Sequence, residues 1–131
     1  MKIKIDSDIT KAKTIPSKFY HSKKVYRKLK KLFDRSWQFI GDNGLLEKNN
    51  SHPGILLEGM VSEPYVLTND NGKIKCLSNV CTHRGNIVCN DPCNTKTLVC
   101  GYHGRQFEID GKMKFMPEFD DVENFPSNDD N

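Results

Sequence analysis

Two cysteine–histidine pairs carry the chemistry that this sequence can support. One pair lies in Cys81-Thr82-His83-Arg84-Gly85, and the other lies in Cys100-Gly101-Tyr102-His103-Gly104. Two thiolates can bind one iron while two imidazoles bind a second, whereas plant-type clusters need four cysteines in a C-x4-C-x2-C pattern plus a fourth. The sequence has no such four-cysteine pattern. The spacing therefore predicts a two-iron cluster whose ligands are Cys81, His83, Cys100 and His103.

This mixed ligand set is that of a Rieske-type [2Fe-2S] cluster, and it has a redox consequence. Two neutral imidazoles in place of two anionic thiolates make the oxidised cluster formally neutral, so an electron is easier to add. Such centres have potentials from about −150 to +300 mV, against about −400 mV for the all-cysteine plant type. The ligand set predicts one-electron transfer as the function.

Each loop also ends in a glycine, Gly85 in one and Gly104 in the other. Glycine permits a tight turn and leaves room for backbone amides close to the bridging sulfides. Amide donors at that place stabilise the reduced cluster, which is more negative, and so raise the potential.

The four residues have two other interpretations. Tetrahedral zinc is one, because Cys2His2 is an ordinary zinc ligand set. Zinc fingers, however, group two cysteines and then two histidines, whereas each loop here carries one of each. The other is four unrelated core residues, which would require two matching loops to arise by chance. We therefore favour the iron-sulfur cluster.

The remaining cysteines and histidines have no clear ligand pattern. Five cysteines without a secretory context favour metal ligation over a disulfide framework. Cys89 and Cys93, at C-x3-C spacing, could form a redox pair or a second metal site, but small buried apolar residues are the favoured interpretation. Cys76, at the end of a strand-like stretch, is expected in the core. His21 and His52 are expected to be surface or turn residues.

Length and charge limit the class of protein. The 131 residues suffice for one domain. The sequence has no membrane-length apolar run and no signal-peptide pattern, which predicts a soluble, cytoplasmic protein. Residues 1–35 hold twelve Lys and Arg against three acidic residues, whereas the rest hold eight against fourteen. No nucleic-acid-binding motif accompanies the basic part, so we expect no nucleic acid partner, and a solvated or protein-docking surface is favoured.

The N-terminal part is expected to contain an arm and one helix. Residues 1–18 predict an extended arm, because Pro16 is a poor element interior. Ser22 can cap a helix from about Lys23 to Arg35. Its apolar stripe is expected to pack against a sheet and is formed by Val25, Leu29, Leu32 and Phe33.

Short β-prone runs follow and predict an antiparallel sheet. They are Ile55-Leu56-Leu57, Tyr65-Val66-Leu67-Thr68 and Lys73-Ile74-Lys75-Cys76-Leu77. Asp70-Asn71-Gly72 predicts a tight hairpin turn between the last two, and Asp110-Gly111 predicts another turn. From Glu118 onward the acidic composition predicts a strand exit that passes into a linker.

With these motifs, the chain resembles the N-terminal Rieske domain of aromatic-ring-hydroxylating (Rieske non-haem iron) oxygenase α-subunits. The resemblance covers nearly the whole sequence. Besides the ligand loops it rests on Ile15-Pro16-Ser17-Lys18-Phe19-Tyr20, Ser36-Trp37-Gln38-Phe39-Ile40-Gly41, His52-Pro53-Gly54, Tyr102-His103-Gly104-Arg105-Gln106-Phe107, Asp110-Gly111-Lys112 and Met116-Pro117-Glu118-Phe119.

The resemblance implies a mostly β fold, a Rieske-type antiparallel β-sandwich with a two-loop cluster-binding subdomain, preceded by one N-terminal amphipathic helix. It implies an arm and helix over 1–36, the Rieske domain over 37–125, and the start of a linker to an absent catalytic domain over 126–131. Cys81 and Cys100 would bind the buried iron, and His83 and His103 the outer iron.

The resemblance also implies partners. A reductase or ferredoxin would donate the electron, and the acceptor would be a catalytic domain with a mononuclear iron, reached through the exposed face of His83 or His103. This chain lacks the two-histidine, one-carboxylate site of that domain. The resemblance leaves open whether the full-length protein forms a homo-oligomer. The alternatives are a stand-alone Rieske ferredoxin, which the segment Phe19 to Ile40 disfavours, and a non-redox interaction module with a structural metal.

The resemblance further predicts a potential at the low end of the Rieske range. In the cytochrome-complex type of Rieske protein, two further cysteines form a disulfide clasp at the positions of Asn86 and Tyr102, and a serine donor stands at the position of Arg105. All three residues differ here, so the hydrogen bonds that raise the potential are missing.

Overall fold

The computed structural model describes residues 4–119 and 121–130, and its chain divides into two compact units, Met1–Gln38 and Phe39–Asn131. In the first unit, a short 3-10 turn at Ser17–Phe19 precedes helix α1, Lys23–Phe33. The Ser22 hydroxyl accepts a hydrogen bond from the backbone N–H of Val25 at 3.3 Å, which confirms the predicted cap. All residues of α1 are described and none is buried. The predicted packing of its apolar stripe stays a prediction.

Helix α1 ends two residues before the predicted end, and side chains explain why. The Ser36 hydroxyl donates to the carbonyl of Leu32 at 2.6 Å, and the Gln38 amide donates to the carbonyl of Phe33 at 3.2 Å. These side chains satisfy the carbonyls that a longer helix would have used.

The predicted extended arm contains a turn. The amides of Lys11 and Ala12 both donate to the carbonyl of Asp8, at 3.0 and 2.9 Å, and the Asp8 carboxylate accepts from Thr10. Aspartate favours such turns because its side chain can bond the backbone two residues on. Residues 1–3 of the predicted arm lie outside the described residues.

The second unit contains two three-stranded antiparallel sheets. The first has the order β1-β2-β3, with β1 at Ser51–Leu56, β2 at Glu63–Asp70 and β3 at Lys73–Ser78. The second has the order β4-β5-β6, with β4 at Thr97–Val99, β5 at Gln106–Glu108 and β6 at Met113–Phe115. The mostly β, antiparallel fold predicted from the sequence is confirmed.

Strand β1 contains His52, which was expected at the surface or in a turn. His52 is partly exposed and lies in the strand, not in a turn: His52, Pro53 and Gly54 pair with Leu67, Val66 and Tyr65 of β2. A proline is tolerated there because β1 is an edge strand of its sheet, where one side of the backbone needs no ladder partner.

Both predicted turns are confirmed. Asn71 and Gly72 join β2 to β3 with φ angles of 51° and 88°, and positive φ at both positions is what a tight hairpin turn requires. The Gly72 amide also donates to the Asn69 side chain at 2.8 Å. Asp110-Gly111 turns the chain between β5 and β6, with Gly111 at φ 95°.

The hydrophobic core lies between the two sheets. Val66 and Leu77 are register partners in the first sheet, so they share a face, and they pack with residues of the second sheet. The core residues from that second sheet are Leu98, Phe107 and Met113. Together these contacts form a sandwich.

The cysteines outside the ligand loops divide between core and surface. Cys89 is buried and Cys93 packs partly buried against the core, and the apolar interpretation of this pair stays a prediction. The expectation for Cys76 is wrong, because this residue is exposed. Its neighbour Leu77 faces the core, and strand alternation turns Cys76 to the other face.

No helix among the described residues is long and apolar enough to cross a membrane.

The pairing of Gly54 with Tyr65 yields a stability prediction. A Cβ atom at Gly54 would lie 2.4 Å from the Tyr65 ring, so Gly54→Ala must displace that ring. We expect a loss of about 1 to 3 kcal/mol in the free energy of unfolding, measured by urea denaturation. In a Tyr65→Ala background the same change should cost less. An equal cost in both backgrounds would show that the ring is not the cause.

Candidate iron-sulfur site

The two ligand loops share one backbone architecture. In the first loop, the Cys81 amide donates to the carbonyl of Asn86 at 2.8 Å, and the Gly85 amide donates to the carbonyl of Cys81 at 2.9 Å. In the second loop, the corresponding distances are 2.8 Å from Cys100 to Arg105 and 3.0 Å from Gly104 to Cys100. Each cysteine therefore begins a turn that closes on the residue five positions later.

Each turn depends on a glycine with a left-handed backbone. Gly85 has φ 72° and Gly104 has φ 70°, at the same place in the two turns. A residue with a Cβ atom is strained in this region by about 1 to 2 kcal/mol. The glycines predicted to allow tight turns are thus confirmed in that role.

The loops bring the four predicted residues together as two unlike pairs. Cys81 and Cys100 are buried in the same core cluster, with 3% and 2% of their surface exposed, and each thiol shifts the pKa of the other. The imidazoles of His83 and His103 lie edge to face with their ring centroids 4.7 Å apart, and both residues are partly exposed. A sulfur pair therefore lies inside the domain, and a nitrogen pair lies nearer its surface. The other two histidines are on neither loop.

Backbone amides act on the cysteine sulfurs. Those of His83 and Arg84 act to lower the pKa of Cys81, and those of Tyr102 and His103 act to lower the pKa of Cys100. Amides of this kind stabilise negative charge on sulfur. The placing of amides near the bridging sulfides stays a prediction.

The two thiols have unlike pKa values. Burial is the main reason that the pKa of Cys81 is raised. Burial also acts to raise the pKa of Cys100, but the Tyr102 amide, the Cys81 thiol and the Asn86 amide together hold that pKa below its usual value. The Asn86 Nδ2 atom lies 3.7 Å from the Cys100 sulfur.

The pKa of His83 is lowered, first by burial and then by the nearby positive charges of His103, Arg84 and Arg105. A lowered pKa favours the neutral imidazole. The neutral form is the one that binds a metal.

The donor set fits a two-iron group better than a single ion. Among the described residues, no three Cys, His, Asp or Glu side chains converge on one point that could hold a metal ion. Tetrahedral zinc needs four ligands around one atom. A [2Fe-2S] cluster needs one pair of ligands at each of two irons, and the loops offer a sulfur pair and a nitrogen pair.

Two contacts at the site were not expected from the sequence. One is the bond from Asn86 to the sulfur of Cys100. The other is the buried Arg105, whose guanidinium donates to the carbonyl of Asp130 at 2.8 Å. The only sequence signal for these contacts is that Asn86 and Arg105 stand next to the ligand motifs. Neither residue type is a metal ligand here, and Asp130 is distant from Arg105 in the sequence.

Cys89 and Cys93 lie between the two ligand loops in the sequence, and Cys89 belongs to the same core cluster as Cys81 and Cys100. The thiols of Cys89 and Cys93 interact with each other, and burial together with Cys93 raises the pKa of Cys89 to about 11. Its thiol donates to the carbonyl of Asp91 at 3.3 Å. These contacts are those of protonated core thiols.

Comparison with known proteins identifies the family. The family model described as "Rieske [2Fe-2S] domain" matches residues 36–126. This chain belongs to the Rieske [2Fe-2S] domain family. The predicted Rieske-type [2Fe-2S] cluster is accordingly its cofactor.

Similar curated proteins are large oxygenase subunits. The large oxygenase component of the 2,4-dinitrotoluene dioxygenase system of Burkholderia sp. (strain RASC) is 32% identical over 102 residues, which cover 75% of this chain and 22% of that protein. The glycine betaine monooxygenase oxygenase subunit of Chromohalobacter salexigens is 29% identical over 112 residues, with 78% and 23% covered. The Rieske chain thus spans less than a quarter of the length of these relatives.

Solved structures agree with the predicted fold. The quaternary ammonium Rieske monooxygenase CntA superposes with a TM-score of 0.75 at 25% identity, over 91% of this chain and 33% of that one. Naphthalene 1,2-dioxygenase superposes with a TM-score of 0.67 at 26% identity, over 84% and 25%. The resemblance to Rieske oxygenases inferred from the motifs is confirmed.

The two glycines of the second loop provide a matched pair of variants. At Gly104, φ is +70° and a Cβ atom would lie 3.1 Å from Pro117, whereas a Cβ atom at Gly101 would have no described atom within 4 Å. We expect Gly104→Ala to lower the iron and sulfide bound per chain and the visible absorbance, and Gly101→Ala to preserve them. Equal cluster content in the two variants would contradict the role given to the turn.

Proposed function

We propose that Cys81 and Cys100 bind the inner iron of the Rieske cluster, that His83 and His103 bind the outer iron, and that the domain transfers one electron at a time. The segregation of a buried sulfur pair from a partly exposed nitrogen pair carries this proposal. The cluster supplies one-electron redox chemistry when bound. The protein holds the sulfur side in its core and leaves the imidazole side accessible.

We propose further that this domain is the electron-relay part of an oxygenase α-subunit. A reductase or ferredoxin would be the electron donor, and a catalytic domain with a mononuclear iron would be the acceptor. The oxygenase subunits among the similar proteins support this role. We propose that the electron leaves through the partly exposed imidazoles of His83 and His103. The exposed ring of Tyr102 lies beside them, with its centroid 3.8 Å from that of the His103 ring.

One observation favours the oxygenase role over a stand-alone ferredoxin. The superposition on CntA covers 91% of this chain, which is more than the second unit alone contains, so the similarity extends into the helix-bearing first unit. A minimal ferredoxin is not expected to need that unit. A cytoplasmic location is part of the same proposal.

Substitution of the proposed ligands tests the function. We expect His83→Ala and His103→Ala each to abolish the paramagnetic signal of the reduced cluster, because each removes one of the two nitrogen ligands from the outer iron. The matched controls are His21→Ala and His52→Ala, which remove the other histidines and should leave that signal unchanged. Cys81→Ser and Cys100→Ser should also abolish the signal, because each removes one of the two proposed sulfur ligands. Their matched control is Cys76→Ser, which should leave the signal unchanged. A signal retained in His83→Ala would reject the ligand assignment.

The reduction potential is a second test. Asn86 and Tyr102 cannot form a disulfide clasp, Arg105 has no serine-type hydroxyl to donate, and the N–H···S contact from Asn86 is long at 3.7 Å. With few extra donors to the reduced state, we expect a potential near the low end of the Rieske range, at about −150 mV. A spectroscopic redox titration measures it, and a midpoint well above zero would contradict the argument.

A further inference from the structure

Arg105 is a buried cation beside the ligand loops whose function no motif explains. It is the second residue after His103, and only 6% of its surface is exposed. We propose that Arg105 raises the reduction potential of the cluster through its fixed positive charge. Residues 125–130, here called the C-terminal strap, hold the guanidinium in place and partly offset its charge. The inference rests on the proposed function.

The C-terminal strap joins the two ligand loops. The carbonyl oxygen of Asp130 accepts a hydrogen bond from Arg105 Nη2 at 2.8 Å and another from Thr82 Oγ1 at 3.1 Å. Thr82 lies between Cys81 and His83 in the first loop, and Arg105 closes the second loop. One acceptor on the strap therefore fixes a residue of each loop.

The guanidinium of Arg105 is enclosed by aromatic rings. It lies 5.8 Å from the ring centroid of Phe107 and 5.9 Å from that of Phe125, a strap residue, both within range of cation–π attraction. Its Nε atom has no hydrogen-bond partner among the described residues. A buried donor without a partner is costly, and an anionic group nearby would lower that cost. A charge enclosed in this way is weakly screened by solvent.

The C-terminal strap also supplies a counter-charge. The Asp130 carboxylate lies 3.5 Å from Arg105 Nη2, and it accepts hydrogen bonds from the Ser127 amide and hydroxyl at 2.8 and 2.9 Å. Reduction adds one negative charge to a formally neutral cluster. The positive Arg105 favours that addition and the negative Asp130 opposes it. The two residues should therefore shift the potential in opposite directions.

Reduction potentials of three variants of the cluster-loaded protein test this inference. We expect Arg105→Gln to lower the midpoint, Arg105→Lys to keep it close to the wild-type value, and Asp130→Asn to raise it. Asp130→Asn keeps the backbone carbonyl that joins the loops and a side-chain oxygen that can still accept from Ser127, so its main effect is the loss of charge. Asp110→Asn removes the carboxylate of another ion pair, 3.4 Å from Lys75, and should leave the midpoint unchanged.

Opposite shifts in Arg105→Gln and Asp130→Asn would support the inference, because a purely structural role predicts no such sign change. Shifts in the same direction, or no shift, in variants with full iron and sulfide content would overturn it and leave the proposed function intact. If Arg105→Gln fails to fold, a raised midpoint in Asp130→Asn together with an unchanged midpoint in Arg105→Lys supports the inference. An unchanged or lowered midpoint in Asp130→Asn overturns it. Retention of the cluster signal in His83→Ala would instead reject the proposed function.

Discussion

The closure of each ligand loop on itself is the constraint on which the site depends. In both loops a cysteine amide bonds the carbonyl five residues later, and a left-handed glycine returns to the cysteine carbonyl. This turn fixes where the cysteine and the histidine of one loop stand relative to each other. Because the two loops repeat the same turn, their cysteines meet on one side and their histidines on the other.

The sandwich then places the cysteines and the histidines of the two loops in different environments. Cys81 and Cys100 belong to the same buried cluster as Val66 and Phe107, whereas the imidazoles remain partly exposed. Burial alone would disfavour thiolates, and the loop amides that act on the sulfurs counter that cost. The same architecture thus buries the sulfur pair and leaves the imidazole pair partly exposed.

Much of this could be predicted from the sequence, because the decisive information is local. The glycine turns of the ligand loops, the Asn71-Gly72 turn and the Ser22 cap each follow from residues a few positions apart. Cys76 was placed wrongly, and the strand position of His52 was missed, because the environment of each depends on which strand it joins and which face it occupies. The pairing of Arg105 with Asp130 joins residues 25 positions apart, and no short pattern encodes such a contact.

The central claim is that sulfur ligands bind one iron and histidine nitrogens the other. Pulsed electron paramagnetic resonance of the reduced protein tests this most directly, because it detects nuclei coupled to the unpaired electron. We expect strong coupling to two histidine nitrogens. A reduced [2Fe-2S] signal without such nitrogen coupling would contradict it.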